Sequence, residues 1–296
     1  MRRIFVLAIP VVVACIAGLL FAIHVFHSET PDGVIRVQSI QADIFYLDAE
    51  DIVKQGPPGV LVIRLDEPVE LVPHSYDKAG FDGPETVGTW VEKLGVPLVF
   101  NAGQYDENLR HLGWLKAQDQ WLSKYRKEQW KGLLLSGPIG HGGWSRLADL
   151  EDVDAKIIER YEHVVQSMML VDHDGKIRVR ESDRVACRSA IAEDAQGRLI
   201  FLMTQGATTL ADFARWIPQS GLNIVRAMNL DGGVEAQVAL RTPEFNLSMY
   251  GTFGVGSTGF PTIQGLVQYP IPNVIAVRPI RTLSDQGRAL GLEVGE

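Results

Sequence analysis

Ile224-Val225-Arg226-Ala227-Met228-Asn229-Leu230-Asp231-Gly232-Gly233 is the stretch on which the fold turns: an apolar run closing in an amide, a carboxylate and two glycines. From Ile224 to Leu230 it has the length and the apolar, β-branched content of a buried strand. Gly232 and Gly233 let the backbone take positive φ or pass close to another group, which a Cβ would prevent. Two readings stay open. The segment is either a strand end that presents Asp231 for chemistry, or a plain Asp-Gly hairpin turn into a second strand over Val234 to Leu240.

Outward from this stretch the chain is a series of short apolar segments cut by turn residues, without internal repeats. Val60 to Leu65, Pro97 to Phe100 and Val274 to Val277 read as strands. Ser189 to Glu193 and Leu199 to Met203 read as a hairpin around Asp194-Ala195-Gln196-Gly197. Val164 to Val171, the turn Asp172-His173-Asp174-Gly175 and Ile177 to Val179 read as another. Thr209 with Asp212 three residues on is an N-cap pattern, and Leu210, Phe213, Trp216 and Ile217 form one apolar helix face ended by Pro218 and Gly221. Helical spacing is also expected between Asp106 and Trp130, through Leu109, Leu112 and Leu115, and from Val153 to His163. The expected class is α+β: a largely antiparallel or mixed sheet flanked by helices, in a single globular domain over residues 28–280 with a tail over 281–296.

With 46% hydrophobic and 22% charged residues the composition is that of an ordinary globular chain, and the net charge of -8 with no evident basic run argues against a nucleic-acid partner. Residues 1–27 differ from the rest. Arg2 and Arg3 precede an uncharged run from Ile4 to Phe26, long enough at about 1.5 Å per residue to cross a hydrocarbon core of ~30 Å. The arginines put the N-terminus in the cytoplasm and the body outside it. A signal anchor through residues 4–26, a cleaved signal peptide and a lipoprotein signal at Cys15 are the readings of this segment. Only Cys15 and Cys187 exist, so no disulfide is expected in the body.

The order of the polar turns carries a resemblance. A strand runs into Asn101-Ala102-Gly103-Gln104-Tyr105; Gln166-Ser167 follows; Arg188-Ser189-Ala190-Ile191 opens a hairpin that ends at Gln205-Gly206; a capped helix and a strand then lead to Asn229-Leu230-Asp231-Gly232-Gly233. In this order the chain resembles the phosphodiester glycosidase family over roughly residues 101–277. The resemblance implies one pocket built from Asn101, Gly103, Gln166, Arg188, Gln205, Gly206, Asn229, Asp231, Gly232 and Gly233. It implies a carbohydrate or glycosyl-phosphodiester substrate and no cofactor. Arginine is the residue type that holds phosphate oxygens by parallel charge-assisted hydrogen bonds, which makes Arg188 the candidate anion ligand. Asp231 is then the candidate catalytic carboxylate.

The family pattern continues with a third glycine and a serine or threonine where this chain has Val234 and Glu235. Glu235 is either the second catalytic carboxylate of a glycosidase or a solvent-facing strand residue. Two rival functions follow. One is a non-catalytic glycan-binding or envelope scaffold protein with the same fold. The other is a metal-dependent hydrolase using Asp231, Glu235 and a histidine such as His141 or His163. Cys187 reads as a packed thiol, and the glycines of Gly251 to Ser257 lack the Lys-Ser/Thr of a nucleotide loop.

Overall fold

Val60, Leu61, Val62 and Ile63 are all fully buried, and their side chains leave the strand alternately toward two different cores. Leu61, Ile63 and Leu65 enter a large central core, Val60 and Val62 a second one under a helix. A strand covered on both faces needs apolar residues at every position, which is why this run shows no polar alternation.

The computed structural model describes residues 33–118, 120–140, 144–252 and 268–280; the N-terminal apolar run, His141 and the glycine-rich stretch after Thr252 lie outside them. In chain order the strands are β1 (Ile35–Val37), β2 (Ala42–Asp48), β3 (Gly59–Leu65), β4 (Val69–Ser75), β5 (Leu98–Asn101), β6 (Leu115–Ala117), β7 (Gln120–Ser123), β8 (Gly132–Pro138), β9 (Ser145–Asp149) and β10 (Tyr161–Ser167). They continue with β11 (Met169–Val171), β12 (Val185–Ala186), β13 (Ser189–Asp194), β14 (Leu199–Thr204), β15 (Thr208–Thr209), β16 (Ile224–Asn229), β17 (Gln237–Arg241), β18 (Asn246–Tyr250) and β19 (Asn273–Pro279). The α-helices are α1 (Tyr76–Ala79), α2 (Val87–Leu94) and α3 (Leu210–Gln219).

A seven-stranded sheet, β1-β2-β3-β14-β13-β16-β11, faces a five-stranded sheet, β18-β17-β5-β19-β4, and a third sheet, β7-β6-β10-β8-β9, closes one side. Every strand pairing among the described residues is antiparallel. The central core takes alternate residues from all three sheets, and Phe100 of β5 stacks on Phe201 of β14 at 4.8 Å across it. α3 covers the outer face of the seven-stranded sheet through Phe213, Trp216 and Ile217. α2 does the same for the five-stranded sheet through Val87, Trp90 and Val91. The result is one domain of mostly antiparallel sheets with few helices.

The expected cap of α3 is present: Thr209 Oγ1 accepts from Asp212 N at 2.9 Å. The segment from Asp106 to Trp130, expected to be helical, holds β6 and β7 instead. Leu109, Gly113 and Gln118 take positive φ there, which interrupts any helix. From Val153 to His163 only a short 3₁₀ helix forms, Ala155–Arg160, because Tyr161 already begins β10. The expected strand from Val164 to Val171 divides into β10 and β11, which belong to different sheets. Among the described residues no helix is long and apolar enough to cross a membrane.

Candidate active site

Between Leu230 and Gln237 the chain passes from one sheet to another. Leu230 N still donates to Ser189 O of β13 at 3.0 Å, whereas the next amide, Asp231 N, donates to Ala102 O just beyond β5 at 2.9 Å. β16 and β17 therefore lie in different sheets, and the Asp-Gly hairpin reading does not hold. The chain resumes as a strand at Gln237, after a 3₁₀ turn over Gly233–Glu235.

Two buried side chains fasten this crossing. Asn101 Nδ2 donates to Asp231 O at 2.9 Å and to Ser189 Oγ at 3.1 Å, while Asn101 Oδ1 accepts from Gln237 N at 3.1 Å. Ser189 Oγ donates to Asp231 O at 2.6 Å. The glycines have separate reasons. A Cβ on Gly232 would lie 2.8 Å from Cys187 O and 3.4 Å from Arg188 Nη1, so the missing side chain is the room that Arg188 occupies. Gly233 has φ 74 and donates its N–H to Cys187 O at 2.8 Å, a conformation that favours glycine.

Asp231 and Glu235 form an interacting carboxyl pair. Burial, reinforced by the Glu235 charge, pushes the Asp231 carboxyl up to about 8, against the opposing pull of the Gly232 N–H and of Arg188. Glu235 is also raised by burial, and contact with the Tyr105 hydroxyl partly offsets this. Near neutrality Asp231 therefore holds its proton. Tyr105 is raised by burial and by both carboxylates, so its phenol stays a hydrogen-bond donor, and Tyr269 hydrogen-bonds with it.

Arg188 is 9% exposed and makes no ion pair among the described residues. Its Nε donates to Thr208 O at 3.0 Å and its Nη2 to Arg184 O at 2.7 Å, which fixes the guanidinium plane and leaves Nη1 toward Gly232. Burial pushes it down to about 10, against the favourable charge of Asp231 and Cys187, so it remains a cation at neutral pH. A buried arginine without a carboxylate partner is costly unless an anion completes it. It opens onto a cleft of about 700 Å³ that Gln104 also lines.

The remaining expected residues take other places. Gln166 spends its whole amide on main-chain groups before β6 and β8: Oε1 accepts from Trp114 N and Lys127 N, both at 3.1 Å, and Nε2 donates to Lys127 O and Trp130 O. It is a staple with no group left for a ligand. Gly103 makes room for the buried His111 ring, whose Cε1 would lie 2.8 Å from an added Cβ. Gly206 packs in the same way against Gln55 O, and Gln205 packs over Gly59, with its carbonyl accepting from Cys187 Sγ at 3.5 Å. The Asn229 main chain bonds to Met168 O at 2.8 Å, and its side chain makes no hydrogen bond among the described residues. His163 joins Glu70, Glu162 and the Gln118 N–H rather than Asp231.

Tyr105 and Ser189 were not assigned a role from the sequence, although both stand inside the quoted motifs. Nor did the sequence display the basic wall of the cleft, which the fold assembles from Lys131 and the arginines between 178 and 188.

A family model described as phosphodiester glycosidase matches residues 123–278. Among solved structures the chain is similar to a hypothetical protein from Synechocystis, with TM-score 0.56, 15% identity, and 86% of this chain against 65% of that one covered. It is similar as well to the zebrafish N-acetylglucosamine-1-phosphodiester alpha-N-acetylglucosaminidase catalytic domain auto-inhibited by its pro-peptide, with TM-score 0.53, 14% identity, and 85% of each chain covered. At these identities the likeness is one of fold. No curated protein matches the sequence. The family match takes in Arg188, Ser189, Asp231 and Glu235 together with the sheet crossing that joins them, and the chain belongs to the phosphodiester glycosidase family.

Proposed function

We propose that the protein is an extracytoplasmic hydrolase that cleaves the glycosidic bond of a sugar 1-phosphodiester in an envelope or exported glycan. The observation that carries this reading is a buried Arg188, without an ion pair among the described residues, beside a carboxyl that stays protonated near neutral pH. An arginine held in plane suits the oxygens of a phosphodiester. A carboxyl raised to about 8 suits proton donation to the departing oxygen. Water supplies the new anomeric hydroxyl, Asp231 passes its proton to the phosphate oxygen, and the products are a free sugar and a phosphomonoester. Glu235, set against Tyr105, acts on the sugar side as base toward water or as nucleophile toward the anomeric carbon. Its partly buried place at the pair supports turnover over the scaffold alternative. The N-terminal apolar run behind Arg2 and Arg3 supports the location outside the cytoplasm.

The protein incubated with a panel of sugar 1-phosphodiesters is expected to release free sugar, and to lose that activity on Asp231→Asn and on Arg188→Ala. No release across the panel, or full activity in both variants, sinks the proposal. The anomer first released, read by NMR, tells base from nucleophile for Glu235.

A further inference from the structure

The cleft beside the candidate site holds more positive charge than one phosphodiester can answer. Lys131, Arg178, Arg180, Arg184 and Arg188 line it, and among the described residues no acidic side chain does. Arg178 is neutralised by Asp149, Glu151 and Asp172. The other four make no ion pair among the described residues. Glu181, next to Arg180 in sequence, turns away to Arg215. Trp130, Met169 and Leu210 add apolar surface.

Direction along the cleft follows from which site residues reach it. Arg188 lines it and the carboxyl pair does not. With the sugar at Asp231 and Glu235 and its phosphate at Arg188, whatever is esterified beyond that phosphate runs into the cleft. Like charges gathered without counter-ions are complementary to a further anion, and the planar fork of arginine matches phosphoryl oxygens. We infer that the preferred substrate carries a second phosphoryl group on its leaving side, seated by Arg180 and Arg184. The substrate class is thus a chain of sugars joined by phosphodiesters rather than an isolated sugar 1-phosphodiester. This inference rests on the glycosidase reading of the site. Arg184 lines the cleft, and its main-chain carbonyl accepts from Arg188 Nη2, a contact that an alanine substitution leaves in place.

Two synthetic substrates with the same scissile bond test it on the full-length protein. One is a sugar 1-(methyl phosphate); in the other the same phosphate is esterified to a second sugar 1-(methyl phosphate). The wild-type kcat/KM is expected to favour the second by about tenfold, a preference that shrinks as salt is raised. In the Arg180→Ala/Arg184→Ala double variant the ratio is expected to fall toward one. A wild-type ratio near one, or a ratio unchanged in the double variant, overturns the inference while leaving the hydrolase intact. Absence of hydrolysis of either substrate overturns the glycosidase reading instead. Calorimetric binding of inorganic tripolyphosphate then reads the cleft independently of turnover: a loss of about tenfold in the double variant supports the anion cleft, and unchanged binding overturns it. Tighter binding of a single-stranded oligonucleotide than of tripolyphosphate would assign the cleft to nucleic acid and overturn the proposal.

Discussion

Ser189 Oγ donates to the main-chain carbonyl of Asp231 at 2.6 Å, so the residue that follows Arg188 also grips the backbone at Asp231. The two halves of the candidate site are therefore aligned through adjacent residues, Arg188 and Ser189, where β13 begins. Asn101 completes the clamp from the opposite sheet.

Removal of that clamp is expected to cost both stability and rate. Asn101→Ala deletes partners of Asp231 O and Gln237 N, and a buried group left unsatisfied costs about 1–3 kcal/mol. Urea unfolding should show a loss in that range, and kcat should fall more than KM rises. A variant with unchanged kcat would show that the clamp does not position the acid.

The Asp231 carboxyl makes stability depend on pH in a defined direction. Below its ordinary value of 3.8 it is protonated in folded and unfolded chains alike and contributes no difference. From there to about 8 the unfolded chain releases the proton and the folded one resists, so stability drains as pH rises through that window. Asp231→Asn has no such proton to lose. Its melting temperature is expected to exceed the wild type by a few degrees on the alkaline side of the window and to match it on the acid side. An equal gap at both ends would show that the carboxyl is not raised.

The same group shapes the rate. With Asp231 as proton donor, kcat/KM should decline as pH rises past about 8, while the ionisation of Glu235 sets the acid limb. Because the two carboxyls interact, the limbs report the pair rather than single residues. Glu235→Gln is expected to remove the acid limb and move the alkaline one downward, since the charge that helps raise Asp231 is gone. An alkaline limb that stays in place would separate the two residues.

Gly232→Ala tests the close approach of Arg188. The new methyl would meet Cys187 O at 2.8 Å and Arg188 Nη1 at 3.4 Å, and overpacking of this kind costs about 1–3 kcal/mol. KM for a phosphodiester should rise with the displacement of the guanidinium. Unchanged KM would place the phosphate elsewhere.

What the sequence disclosed was local. The β13–β14 hairpin, the Thr209 cap and the end of β16 each depend on residues a few positions apart, and each formed where expected. Gln166 and Asn101 look alike as turn amides in the sequence, yet partners far along the chain give them their roles: Gln166 staples Lys127 and Trp130, and Asn101 clamps Asp231. The spacing of Leu109, Leu112 and Leu115 suggested a helix because periodicity takes no account of the positive φ at Leu109 and Gly113. The basic cleft was hidden for a related reason. Arg178, Arg180, Arg184 and Arg188 alternate with Glu181 and Asp183 in sequence, and only the fold sorts the acids away from the opening.

The passage of the chain from one sheet to the other at Asp231 ties function to the docking of whole layers. Its amide answers Ala102 beside one sheet, while Leu230 answers Ser189 in the other, so no fragment holding a single sheet retains the acid in place. Catalysis by this protein would then vanish in the same step as global unfolding, and an activity assay would serve as a direct gauge of whether the two sheets remain joined.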